Sequence, residues 1–106
     1  MDERNNLIIL YDYYGGLLSN KQQEYFEQYY FENLSLSEMS ENLNISRNAI
    51  HKVLKNISVK LYKYEEILNL KEKNKKLEKI IKTIPDKNIQ NQIKELLWKI
   101  KYHYKN

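Results

Sequence analysis

Apolar residues recur along this chain at spacings of three and four, the period of helices that each bury one face. Between residues 4 and 14, Leu7, Ile8, Leu10, Tyr11 and Tyr14 share a broad apolar face, and Gly15-Gly16 is the expected glycine stop. Ser19 and Gln22 have capping-box spacing, which predicts a second helix running to about Asn33. That helix is expected to bury Tyr25, Phe26, Tyr29 and Tyr30, with Leu17 and Leu18 entering the same core. Ser35 and Glu38 repeat the capping box and start a third helix, on which Leu36, Met39 and Leu43 share a face and Ser40 is small enough for a close helix approach. The stripe breaks at Asn44, a residue that tolerates the left-handed backbone of a tight turn. Ile45 plugs that turn and Ser46 caps the next helix, where Ala49, Ile50, Val53, Leu54 and Ile57 form the buried stripe. Two short amphipathic helices joined by a polar turn make residues 35–57 a helix-turn-helix.

Past Leu54 the period continues through Ile57, Leu61, Tyr64 and Leu68 without an evident breaker. A second register, Ile67, Leu70, Asn74, Leu77, Ile81 and Ile84, has the spacing of a coiled-coil seam with one polar position, so the second helix of the motif is expected to run into a long extension. Pro85 stops it, and Asp86 is placed to cap a last helix lined by Ile89, Ile93, Leu96, Leu97, Ile100 and Tyr104. So short a connection predicts an antiparallel hairpin. The fold class is therefore all-α: a helical domain over residues 1–68 containing the helix-turn-helix, a long helix, and a C-terminal helical hairpin extension over residues 69–106 in the same compact or dimeric unit. A homodimer is expected, because one helix-turn-helix makes few contacts with an operator and two-fold pairing is the common remedy.

Composition agrees with an all-helical chain: 106 residues hold one Pro and two Gly, too few for the turns of a sheet protein. The length suits one compact domain, or a small domain with an extension. Without cysteine there are no disulfides or thiolate metal sites. No apolar run approaches the roughly 20 residues of a membrane span, and the start MDERNN lacks the basic flank and apolar core of a signal peptide. A cytoplasmic location is expected. The ten tyrosines are read as large core residues, with base stacking as the alternative.

Charge changes the picture more than composition does. Up to Ser46 there are two basic residues against eight acidic ones; from Arg47 onward there are sixteen against six. The break falls at the start of the motif's second helix, and from Arg47 to Tyr64 no acid occurs. Such a stretch attracts a polyanion through phosphate neutralisation and counterion release, although a Lys-rich composition also decorates ordinary exposed faces this way. Arg47, Asn48, His51, Lys52 and Lys55 lie opposite the buried stripe and are the candidate reading residues, with Lys60 and Lys63 beside phosphates. Asn48 suits a bidentate contact to adenine, and Arg47 suits guanine or phosphate.

An enzyme reading finds no phosphate loop or nucleophile motif, and only His51 and His103 as histidines. The carboxylates Glu24, Glu27 and Glu32, and the pair Glu65 and Glu66, read as solvated helix faces. No catalytic residue, cofactor or metal is assigned. Duplex DNA is the expected partner.

Leu10 to Leu68 resembles the YlxM-like family of small bacterial proteins, whose genes sit beside that for the signal recognition particle GTPase. The most specific segments are LYDYYGGLLSNKQ, EYFEQYYFENLSLSEM and ISRNAI. The resemblance implies an all-helical fold, a helix-turn-helix similar to region four of sigma factors, and a regulatory role in the signal recognition particle pathway. It also brings in a second partner class, the particle's GTPase or RNA. This chain departs from relatives at the turn, with Asn44 where they tend to have Gly, and after Arg47, where it carries Asn48 and His51 in place of Gln and Tyr.

Overall fold

Six α-helices and one turn of 3-10 helix form the regular structure of residues 2–101, the part described by the computed structural model. They are α1 (Glu3–Tyr14), α2 (Asn20–Tyr30), α3 (Leu36–Leu43), α4 (Arg47–Leu68), α5 (Leu70–Ile81) and α6 (Lys87–Lys101), with the 3-10 turn at Gly15–Leu17. The fold is all-α, and the molecule is elongated, 55 × 24 × 23 Å. α4 is the central strut: α1, α2 and α3 all pack on it, while α5 and α6 pair with each other and lean back on α1.

Local chemistry explains most helix ends. Ser19 and Gln22, and Ser35 and Glu38, both form complete capping boxes. The Ser35 backbone amide and hydroxyl hold the Glu38 carboxyl below its ordinary range. Asn44 and Asn69 carry the left-handed backbone that ends α3 and α4, with φ of 54° and 57°, and Asn33, φ 57°, carries it in the turn between α2 and α3. Gly15 and Gly16 do not: neither has positive φ, so the glycine stop expected after α1 is not of the left-handed kind.

Gly15 is needed for closeness. A Cβ there would sit 3.0 Å from Cε1 and Cζ of Tyr11. That ring cannot yield, since it stacks on Phe26 at 4.1 Å between centroids and its hydroxyl donates to Glu27 at 2.7 Å. Gly15→Ala is therefore expected to destabilise by about 1–2 kcal/mol despite the helical backbone at this position, measured as a lower urea midpoint with unchanged slope.

The core joins Leu7, Leu10, Tyr11, Tyr13 and Tyr14 of α1 to Leu18, to Tyr25 and Phe26 of α2, to Met39 of α3, and to Ile50, Leu54, Ile57 and Leu61 of α4. Tyr11, Tyr13, Tyr14 and Tyr25 are buried, so these rings are core residues and unavailable for base stacking. Leu17 corrects the sequence reading, being 50% exposed on the 3-10 turn, and Tyr29 and Tyr30 are only half-buried. Tyr13 was outside the expected stripe yet is buried, because α5 and α6 cover the side of α1 that α4 leaves open.

The continuous extension beyond Leu68 is also corrected. α4 stops at the left-handed Asn69 and α5 leaves in a new direction. Asn69 gives α5 no side-chain cap. Instead, the amide of Leu70 donates to the Tyr14 hydroxyl at 3.0 Å, and those of Lys71 and Glu72 donate to the Glu65 carboxylate at 3.0 and 3.2 Å. Tyr14 in turn donates to Glu65. Glu65 is thus no solvated face residue: it ties α1, α4 and α5 together, in the position where a carboxylate best complements a helix N-terminus. Burial and the bond to Glu65 push the Tyr14 hydroxyl far above the usual phenol range.

Asn74 is likewise not a polar seam position in a coiled coil. It is buried and donates to the Tyr13 hydroxyl at 2.6 Å and to Glu78 at 3.2 Å. Asp86 caps α6 as expected, accepting from the amides of Asn88 and Ile89. The rotation of α6 is set by Gln90, whose Nε2 donates to the carbonyls of Ile81 and Ile84 at the end of α5. With Gln90 turned inward, Ile93 and Leu97 are half-buried, but Ile89, Leu96 and Ile100 of the expected stripe face outward. Tyr104 and His103 lie outside the described residues.

Candidate nucleic-acid interface

The turn between α3 and α4 is closed from within. The Asn44 amide donates back to the Ser40 carbonyl, and the Ser40 hydroxyl donates to the Ile45 carbonyl at 2.6 Å, locking the exit of α3 to the entry of α4. Ser46 then caps α4 by accepting from the Ala49 amide at 3.2 Å. Ile50, Leu54 and Ile57 are buried, with Ala49 and Val53 half-buried beside them, which fixes the rotation of the helix about its axis.

That rotation leaves Arg47, Asn48, His51, Lys52, Lys55, Lys60 and Lys63 exposed. At 1.5 Å per residue the seven extend over roughly 24 Å of one straight helix. Arg47 and Asn48 occupy its first turn, where backbone amides add partial positive charge. His51 joins them in a shallow cleft whose far wall is Leu36 and Ser40 of α3. Among the described residues, none of these basic side chains is paired with a carboxylate of the chain. Their charge is uncompensated and free to meet phosphate.

The seven are not equivalent. Arg47, Asn48, His51, Lys52 and Lys55 occupy the first turns of α4 and project together, whereas Lys60 lies round the flank of the helix. There it shares a shallow depression with Asn56 and with Ser19, Lys21 and Gln22 at the start of α2. Lys21 did not stand out in the sequence, being an isolated base in an acidic half and 39 positions from Lys60. The available signal was its position just inside a capping box, where helix amides and a lysine act together on an anion. On the other flank Glu3 lines a depression with His51 and Lys55, setting an acidic border to the basic stripe.

A family described as "Putative helix-turn-helix protein, YlxM / p13 like", UPF0122, matches residues 1–100. The chain belongs to this family. The UPF0122 match extends well past Leu68, where the resemblance read from sequence ended, and takes in the α5–α6 hairpin. A UPF0122 protein of Ureaplasma parvum serovar 3 is 42% identical over 95 residues, covering 90% of this chain and 96% of the relative. One from Clostridium novyi is 43% identical over 108 residues, covering 95% and 94%. One from Caldanaerobacter subterraneus subsp. tengcongensis is 44% identical over 80 residues, covering 76% and 68%. Among the described residues no helix is long and apolar enough to cross a membrane.

Proposed function

We propose that this UPF0122 protein is a non-enzymatic, cytoplasmic DNA-binding regulator that lays the first turns of α4 in the major groove of duplex DNA. The observation that carries this reading is the uncompensated group Arg47, Asn48, His51, Lys52 and Lys55 on the solvent face of a helix that starts at the helix-turn-helix turn. Arg47, Asn48 and His51 stand at the reading end; Lys52, Lys55, Lys60 and Lys63, with Lys21, meet phosphates on either side. If about five phosphates are neutralised, the logarithm of the binding constant falls with the logarithm of salt at a slope of about −4.5. A selection from random duplex DNA tests sequence specificity, and failure to enrich any motif counts against a regulator of defined sites.

A homodimer completes this reading. Ile89 and Leu96 of α6 are 46% and 60% exposed, and Leu77 and Ile80 of α5 add 41% and 59%, an open apolar face beyond what a solvated hairpin needs. A second copy of the chain, paired two-fold across that face, would present two α4 helices to two half-sites. The double variant Ile89→Ser, Leu96→Ser is expected to sediment as a monomer and to bind a two-half-site duplex at least tenfold more weakly, while an unchanged sedimentation coefficient would remove this face from the dimer.

The place in the signal recognition particle pathway rests on the family resemblance alone. Its GTPase or RNA is the competing ligand, and preference for that RNA over every duplex DNA tested would overturn the DNA reading.

A further inference from the structure

The inward stripe of α4 recurs in α5, thirteen residues later. Ile57, Leu61, Tyr64 and Leu68 are matched by Leu70, Asn74, Leu77 and Ile81. At about 100° per residue, thirteen steps place the second set about 140° round the helix from the first. In one straight helix the first set would face the chain's own α1, α2 and α3 while the second faced away from them. The break removes that mismatch: α4 stops at Asn69, α5 turns, and Asn74 and Ile81 become buried. The join is a single residue, and a non-glycine left-handed backbone holds it.

The helical ladder is intact on both sides of this join. The Asn69 amide donates to the Glu65 carbonyl at 2.8 Å, and the Lys73 amide donates to the Asn69 carbonyl at 3.0 Å. The rungs between them would come from the amides of Leu70, Lys71 and Glu72, the donors that the Tyr14 hydroxyl and the Glu65 carboxylate now accept. Straightening at Asn69 therefore replaces three hydrogen bonds by three and orphans no amide. It also relieves the left-handed asparagine and brings Ile67 and Leu77, now 67% and 41% exposed, onto one stripe with Leu70, Asn74 and Ile81. What it removes is the seat of the hairpin on its own α1.

We propose that the α5–α6 hairpin is exchanged between two copies of this chain. α4 and α5 become one helix through Asn69, and each hairpin seats on α1 of the other copy, with Asn74 donating to the partner's Tyr13 as it does within the single chain. The stripe that turns away from its own body is the one that reaches a second body. Exchange of identical elements across a short, strained hinge needs no new surface. It rests neither on the DNA reading nor on pairing across Ile89 and Leu96.

Refolding of the full chain at high concentration, followed by sedimentation, tests this. All variants carry Ile89→Ser, Leu96→Ser, which removes pairing across the open face. Asn69→Ala favours the continuous helix and is expected to raise the ratio of dimer to monomer at least tenfold over that background; Asn69→Gly favours the left-handed break and should leave the ratio at or below it. Circular dichroism checks folding, and Asn69→Gln makes the same comparison with a second helix-favouring side chain. Equal ratios in the helix-favouring and glycine variants overturn the proposal. In dimers refolded from equal parts of isotope-labelled and unlabelled chain, nuclear Overhauser contacts between the Tyr13 ring and the Asn74 amide should cross between chains. A dimer that keeps this contact within each chain overturns the exchange.

Discussion

Arg47→Ala combined with Lys52→Ala is expected to weaken binding to duplex DNA about 100-fold at moderate salt while leaving thermal stability within about 0.5 kcal/mol of the parent. The two side chains are exposed and make no ion pair within the described chain, so nothing in the fold depends on them. Their contributions differ in kind. Arg47 sits at the first helical position after the Ser46 cap, where an arginine reaches base edges, and its removal alone should cost about 1–3 kcal/mol and relax selectivity at one base pair. Lys52, one turn further along, is the proposed phosphate contact, so its removal should weaken all sequences alike and reduce the salt slope by about 0.9. Gel retardation of one duplex across a salt series separates the two. Unchanged affinity in the double variant, with folding intact, would show that another surface holds the nucleic acid.

Glu65→Ala carries the largest expected loss of stability. One carboxylate accepts from the Tyr14 hydroxyl and from the amides of Lys71 and Glu72, and its removal leaves all three donors without that acceptor at a partly buried junction. Hydrogen bonds to a charged group contribute about 1.5–3 kcal/mol each, and partial solvation of this one argues for a total near 3 kcal/mol. For a domain of this size that is a fall in melting temperature of roughly 12–24 °C. Glu65→Gln keeps an acceptor oxygen and should lose about half as much. Hydrogen exchange locates the damage: the amides of Leu70, Lys71 and Glu72 should exchange much faster, while those of Ile50 and Leu54 should follow only the global change. Uniform acceleration across α4 as well would mean that Glu65 supports the whole core and not this junction.

What the sequence made legible, and what it hid, divides by the distance between partners. Ser35 with Glu38 and Ser46 with Ala49 are three residues apart, so the helix starts could be read directly, and with them the helix-turn-helix and the exposure of Arg47, Asn48, His51, Lys52 and Lys55. Asn44 was read correctly because an apolar stripe ended on it. Asn69 was not, because the apolar period runs across it and asparagine inside a helix costs only a few tenths of a kcal/mol. Glu65 and Asn74 were misread for another reason: Tyr14 and Tyr13, which give them their roles, lie 51 and 61 positions earlier. The rotation of α6 escaped for a related cause. Periodicity identifies an apolar face but not what will cover it, and two hydrogen bonds from Gln90 turn the helix so that much of that face stays open.

The unbroken run of α4 from Arg47 to Leu68 has a mechanical consequence. Its 22 residues make a rod of about 33 Å, with the proposed reading end at one tip and the Glu65 junction near the other. A tilt of only about 5° at the junction sweeps the Arg47 tip through about 3 Å, close to the roughly 3.4 Å rise of one base step. Small adjustments in how the hairpin seats on α1 would therefore be magnified along this lever and, if α4 lies in the major groove as proposed, reach whole-base changes of register at the far end.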